Sequence, residues 1–332
     1  MQTSLWLWSS FNLFVLVLLA LDLGVLHRRR REISLSEALW LSTGYFGLAL
    51  FFNAGIFYFN GRQAGYEFLT GYLIEKSLSL DNIFVFVLIF SYFTVPVQYQ
   101  HRVLFWGIIG AVVMRGVLIA LGAQLIVTFH WIIFIFGAFL IFTGIKMLVM
   151  IDAKPDLANN WLLSLLRRRI RVTDEYHQEK FFIRRDGLVW ATPLFLVLVL
   201  IEFTDLVFAV DSIPAIFAIT QDPFIVYTSN VFAILGLRAL YFALAGIIHR
   251  FHYLKYGLSL VLVVIGGKMI VNGVFGGKVV PTEVALAITA TLILGSIVLS
   301  LIKTRDRVES AASNTGWVPG SPPAPPPPTA AK

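Results

Sequence analysis

The sequence contains no cysteine. Disulfides, thiolate metal centres and thiol redox chemistry are therefore excluded. Charge is scarce: Asp, Glu, Lys and Arg make up 14% of residues, against about a quarter in a soluble domain. The six histidines, at 27, 101, 130, 177, 249 and 252, lie at the ends of apolar segments or between them. None of the five methionines falls in the acidic turns described below, so no soft or nitrogen-rich metal site is available there. No His-Glu-x-x-His or Gly-x-Ser-x-Gly pattern occurs, and the chain reads as a non-enzyme without a permanently bound cofactor. No basic segment precedes the first apolar run and no small-residue cleavage site follows it, which reads as a retained helix and not a signal peptide.

Apolar residues are abundant. They form 58% of the 332 residues, and mean hydropathy is +0.81. Apolar runs of about 18 or more residues recur along the chain, the length that crosses a bilayer as helix. The fold class is an all-α polytopic membrane protein whose first partner is the lipid bilayer. Nine spans are expected, near 5–26, 36–59, 66–93, 102–126, 132–151, 191–219, 225–248, 257–275 and 284–302. Basic connections alternate with nearly uncharged ones. Arg28 to Arg31, Arg102, the loop 152–187, Arg250 with Lys255, and Lys303 with Arg305 and Arg307 all fall on one side; only Arg62 and Lys278 fall on the other. The positive-inside rule then puts the N-terminus outside and the C-terminus in the cytoplasm. The net charge of +7 belongs to those loops and implies no nucleic acid. Loop 152–187 contains the basic amphipathic stretch WLLSLLRRRIRV (161–172), expected to lie on the inner leaflet. The last 17 residues hold seven of the thirteen prolines and read as a disordered tail.

The chain repeats itself. EKSLSLDNIFV (75–85) aligns with DLVFAVDSIPA (205–215), pairing Glu75 with Asp205, Asp81 with Asp211 and Asn82 with Ser212. VMRG (113–116) resembles GLRA (236–239), and TGIKMLV (143–149) resembles GGKMIV (266–271). Because the first repeat starts outside and the second inside, spans 3–5 and 6–8 form inverted three-helix repeats, a design of secondary transporters. The units are an N-terminal helix pair (1–60), a first repeat (61–151), the basic loop (152–187), a second repeat (188–275), a C-terminal helix (276–308) and the Pro-rich tail (309–332).

Each charge at the bilayer centre costs about 2.5–3.5 kcal/mol. Glu75, Asp81, Glu202, Asp205 and Asp211 must therefore face inward and be neutralised by protons, by Lys76, Arg115, Lys146, Arg238 and Lys268, or by a bound cation. Asp205 and Asp211 are six residues apart, about 120° around a regular helix, as are Glu75 and Asp81. Their convergence requires a distorted turn, which Pro214 supplies in the second repeat by freeing the carbonyl of Val210. Together with Asn82 and Ser212 the set is all oxygen, which suits manganese, magnesium or calcium. The competing reading has the acids ion-paired to lock helices together, with Arg115 and Arg238 as structural or gating partners.

GYLIEKSLSLDNIFVF (71–86), ATPLFLVLVLIEFTDLVFAVDSIPAIFAIT (191–220) and TSNVFAILGLRALYF (228–242) resemble the TerC family of integral membrane proteins, most closely its Alx branch. The resemblance implies a fold like that of lysine-exporter-type transporters in the bacterial inner membrane. It implies manganese as the transported ion, and carries the family's acidic motif onto Glu75, Asp81, Asn82, Glu202, Asp205, Asp211 and Ser212. Proton coupling is a further expectation. A non-transporting role, with loop 152–187 docking a protein partner in an envelope stress, metal-loading or tellurium-resistance complex, is the alternative.

Overall fold

The computed structural model describes residues 5–27, 35–129, 131–149, 161–185, 187–245, 253–275 and 279–315, with 22–27 and 304–315 as backbone alone. Arg28–Arg31, Lys154, Arg250, Lys278 and the tail from residue 316 lie outside the described residues. The elements are α1 (Leu5–His27), α2 (Leu35–Asn60), α3 (Arg62–Tyr92), α4 (Val97–Thr128), α5 (Ile132–Val149), α6 (Trp161–Arg169), β1 (Phe182–Arg185), β2 (Leu188–Ala191), α7 (Pro193–Phe217), α8 (Pro223–Leu235), α9 (Leu237–Leu244), α10 (Leu254–Phe275) and α11 (Thr282–Thr315).

Among the described residues, seven helical segments are long and apolar enough to cross a membrane: α2, α4, α5, α7, the α8–α9 pair, α10 and α11 as far as Lys303. The protein is thus a polytopic helical membrane protein. α3 has 31 residues, about 46 Å, but carries Arg62, Glu67, Glu75, Lys76 and Asp81 and so is less apolar than the others. α1 is apolar over Leu5–Leu21. Exposed Trp40, Phe51, Tyr58 and Phe59 cover the outer side of α2, as on a lipid-facing surface.

Three expectations are corrected. Pro214 does not unwind its helix: α7 is continuous to Phe217, because the proline takes away one helical bond, that to the Val210 carbonyl, and the chain keeps helical geometry on both sides of it. The discontinuity falls instead in the span expected at 225–248, which breaks at Gly236 into α8 and α9. α11 runs on to Thr315, past the boundary expected at 308, with no proline to stop it before Pro319. The stretch 161–172 is folded against the bundle: Trp161 meets Phe203 edge-on at 5.8 Å, ten residues into α7, and Leu163 is buried in the same apolar cluster as Leu194 and Val197.

α8 is the enclosed centre of the bundle: every residue from Phe224 to Leu235 is buried, with α2, α3 and α4 packed around them. Its start is fixed by Pro223 and by Asp222, whose carboxylate accepts from the Phe224 and Ile225 amides at 2.9 and 3.4 Å. α3 contacts α7, α4 contacts α8 and α5 contacts α10. α3 and α7 run in opposite directions, since Gly71 lies by Ile216 while Asn82 lies by Asp205. α5 and α10 also run oppositely and approach at backbone distance: a methyl group at Gly144 would stand 2.7 Å from the Ser259 carbonyl, and one at Gly266 would stand 2.7 Å from that of Gly137. Small residues at such a seam let dispersion act between backbones, the main attraction left once lipid replaces water.

Between α5 and α7, one antiparallel hairpin interrupts the helical fold, pairing Phe182 with Ala191 through Arg185 with Leu188 and turning at Gly187, φ +74°. Tyr176 ties this unit to the α3–α4 turn by donating to the Phe93 carbonyl at 2.7 Å. Arg102 stacks over Phe181 and pairs with Glu179 at 3.7 Å. Burial pushes the Tyr176 hydroxyl up to about 12 from 10.

Gly144→Val must push the α5 backbone off α10. We expect about 1–3 kcal/mol of destabilisation, the usual cost of overpacking, read as a lower unfolding midpoint in detergent; an unchanged midpoint would mean the seam is looser than described. A folded-state value above the unfolded one means that Tyr176 contributes fully below pH 10 and loses its contribution as pH rises through 12. Tyr176→Phe should speed proteolytic nicking near residues 174–187 severalfold at neutral pH, with wild type matching it only above pH 12.

Candidate functional site

α3, α4, α7 and α8 each send one or more polar side chains to the same buried point. α4 contributes Arg115, 1% exposed. On α3, regular helical spacing puts Glu75, Ser79 and Asn82 on one face. Asp205 and Ser212 come from α7, and Asn230 from α8. Arg115 Nη1 donates to Glu75 Oε1, to Asn230 Oδ1 at 2.9 Å and to Ser212 Oγ at 3.5 Å. Nη2 and Nε donate to the two oxygens of Asp205 at 3.1 and 3.4 Å, a fork against a carboxylate. Asn82 Nδ2 also donates to Asp205, at 3.0 Å. One carboxylate from α3 and one from α7 are thus joined through one guanidinium.

Two acceptors at this point are left over. Glu75 Oε2 and Asn82 Oδ1 are buried and have no hydrogen-bond partner. Such orphans are uncommon in folded proteins and ask for a physical reason. Asp205 also lines a small, mostly apolar cavity with Arg238, Gly107, Ala111 and Ile201; its volume of about 10 Å³ is roughly the room of one water molecule or one bare ion.

The other expected acids do not reach this centre. α3 is regular between 75 and 81, so Asp81 points away from Glu75; Lys255 of α10 is its electrostatic partner, and that ammonium lies 4.7 Å over the Phe84 ring. Asp211 is turned to α5, where Thr143 Oγ1 donates to it at 3.4 Å and Lys146 adds its charge. Glu202 is half-buried against Gly110, with Asp205 its charged neighbour. Among the described residues, no three acids or histidines stand close enough to form a metal cage as the structure stands.

Three participants were not singled out from sequence as site residues. Asn230 is in the polar triplet Thr228-Ser229-Asn230, unusual inside an apolar span, which is a signal that could have found it. Glu67 is buried about two turns before Glu75 on α3, taking a hydrogen bond of 2.7 Å from Gln63, which also donates to Thr282 of α11. Lys76 was counted only as a base; it donates to the Ala233 carbonyl at 3.3 Å, beside the break at Gly236 where helical carbonyls lose their partners.

Removing one partner from a buried ion pair costs about 3–5 kcal/mol, whereas removing all its charges together is often neutral. Arg115→Met should lower the unfolding midpoint in detergent sharply, and adding Glu75→Gln and Asp205→Asn should recover most of the loss. No recovery in the triple variant would show that the three groups do not act as one unit.

The model of the integral membrane protein TerC family matches residues 60–308. The chain is 49% identical over 306 residues to the uncharacterized membrane protein STKORF319 of Myxococcus xanthus, covering 92% of this chain and 95% of that one. It is 46% identical over 305 residues to the "Putative membrane-bound redox modulator Alx" of Escherichia coli K12, covering 89% and 93%. An uncharacterized membrane protein of Rickettsia bellii is 45% identical over 296 residues, covering 89% and 97%. No solved structure matches. A chain matched over most of its length both by the family model and by relatives at this identity belongs to the TerC family of integral membrane proteins.

Proposed function

We propose that this protein is a secondary transporter that exports a divalent metal ion, manganese before magnesium or calcium, out of the cytoplasm across a bacterial inner membrane. The observation that carries this reading is the meeting of Glu75 and Asp205, from oppositely running helices, at a buried point with acceptor oxygens to spare. Every donor there is oxygen apart from the Arg115 guanidinium and amide nitrogens, and hard divalent ions take oxygen ligands. The metal here is cargo, and Glu75, Asp205, Asn82 and Ser212 would be its first contacts. Asp81, Asp211 and Glu202 would serve on the way in or out.

Three further features support transport. Repeat mates touch pairwise, α3 with α7, α4 with α8 and α5 with α10, and two of these pairs can be traced as antiparallel, as expected of inverted repeats. Nine spans, with α1 and α3 included, would put the N-terminus outside and the basic 161–191 unit in the cytoplasm. The central α8–α9 helix is discontinuous, as in transporters that bind ions at helix breaks. Rocking of one repeat against the other would expose the site to each side in turn, and protonation of the acids outside would release the metal.

The redox description attached to the Alx relatives finds no thiol to act through in this cysteine-free chain. The rival reading, a non-transporting partner of other proteins, is favoured by one observation: the 161–191 unit is folded onto the bundle and presents Arg167, Arg168, Arg169 and Arg184. Purified protein in liposomes separates the two. Wild type should pass manganese, and Asp205→Asn should slow it by about 10–100-fold, the usual loss when groups around a metal are removed. Wild-type liposomes that pass no divalent metal, with function in cells lost on deleting 161–185, would establish the rival.

A further inference from the structure

We infer that Arg115 is a tethered counter-cation: its guanidinium holds Glu75 and Asp205 while the carrier is empty, and the cargo ion must displace it to bind. This rests on the transport reading above. Inside a bilayer no water screens a bare carboxylate, so an empty site with two acids needs a positive group whenever it crosses between its two openings. The protein supplies one. Arg115 is the group that bonds both acids, and its bonds use the carboxylate oxygens that a divalent ion would take.

A permanent structural bridge should look different. Buried ion pairs that serve only as locks need every donor and acceptor matched, because a half-matched buried network costs more than an apolar core. Here every arginine nitrogen has an acceptor, but two of its contacts are long and the acceptor side is not matched. Arg115 Nη1 has two hydrogens facing three acceptors, Glu75, Asn230 and Ser212, the last at 3.5 Å. Nε is also long, at 3.4 Å to Asp205. Meanwhile Glu75 Oε2 and Asn82 Oδ1, both buried, accept nothing. These spare oxygens lie where an ion replacing the guanidinium would find them.

There is also slack for exchange. Gly107, Ala111 and Arg115 are spaced four apart on one face of α4, so the two small residues lie directly below the arginine. The ion-sized cavity opens against them, with Asp205 on one wall and Arg238 on another. That cavity reaches Asp205, the acid on which the guanidinium forks. Mutual exclusion also lowers apparent affinity, since the cargo binds only the fraction of carriers whose arginine is released.

The test compares two modes of manganese movement by the full-length protein in liposomes: net flux into metal-free lumen, and one-for-one exchange with metal on both sides. Net flux needs the empty carrier to return; exchange does not. Arg115→Gln should lower net flux at least about tenfold more than it lowers exchange, because only the empty carrier lacks its counter-charge. Should that variant not purify as a monodisperse protein, Arg115→Lys gives the converse reading: it keeps a positive charge but loses the fork onto Asp205, so net flux and exchange should change by the same factor, and a selective loss of net flux would overturn the inference. In folded Arg115→Gln, equal loss of both modes or equal retention overturns the inference and makes Arg115 a plain structural bridge. A wild type that performs neither mode overturns the transport reading itself.

Discussion

The polar centre of this bundle depends on one constraint: carboxylates that leave water must be met by positive charge on the spot. Arg115 meets two of them, Glu75 and Asp205, and with them it ties α4 to α3 and α7. Asn230 extends the tie to α8 and Asn82 reinforces it from α3. Four helices are thus registered against each other at one depth by hydrogen bonds, in a setting where apolar contact alone leaves helices free to slide.

Away from that centre, close backbone approach takes over. The α5–α10 seam brings Gly137, Gly144 and Gly266 against opposing carbonyls and needs no polar side chain to hold it. The two kinds of contact divide the protein mechanically. The seam is dry and fixed by shape, whereas the centre around Arg115 is charged, imperfectly matched and next to a cavity. A packed seam can move only as a block, while a mismatched charged centre can change partners.

The remaining buried charges are dispersed by the same rule. Asp81 finds Lys255, Asp211 finds Thr143 and Lys146, and Lys76 finds the carbonyl left free near the α8–α9 break. Each is satisfied locally, on the helix face where a regular helix happens to put it. Acidic residues six apart therefore mark two sites of contact and not one, unless the helix changes shape.

The membrane class and most helix boundaries could be read from the sequence, because apolar run length is a local property of the chain. The buried face of α3 was legible for the same reason: 75, 79 and 82 share a side of any helix. The partners were not. That Arg115 would take both Glu75 and Asp205 depends on residues 40 and 90 positions away along the chain, and competition between Arg115, Arg238 and the lysines for the same acids has no solution without coordinates. The site of helix breakage was also undecidable, since α7 absorbs the one helical bond that Pro214 removes, whereas Gly236 must pass close to Lys76 Nζ and Tyr45. Sequence determined which residues had to be buried and neutralised; tertiary packing decided by whom, because burial is set by the chain's own composition while charge pairing is set by which helices end up side by side.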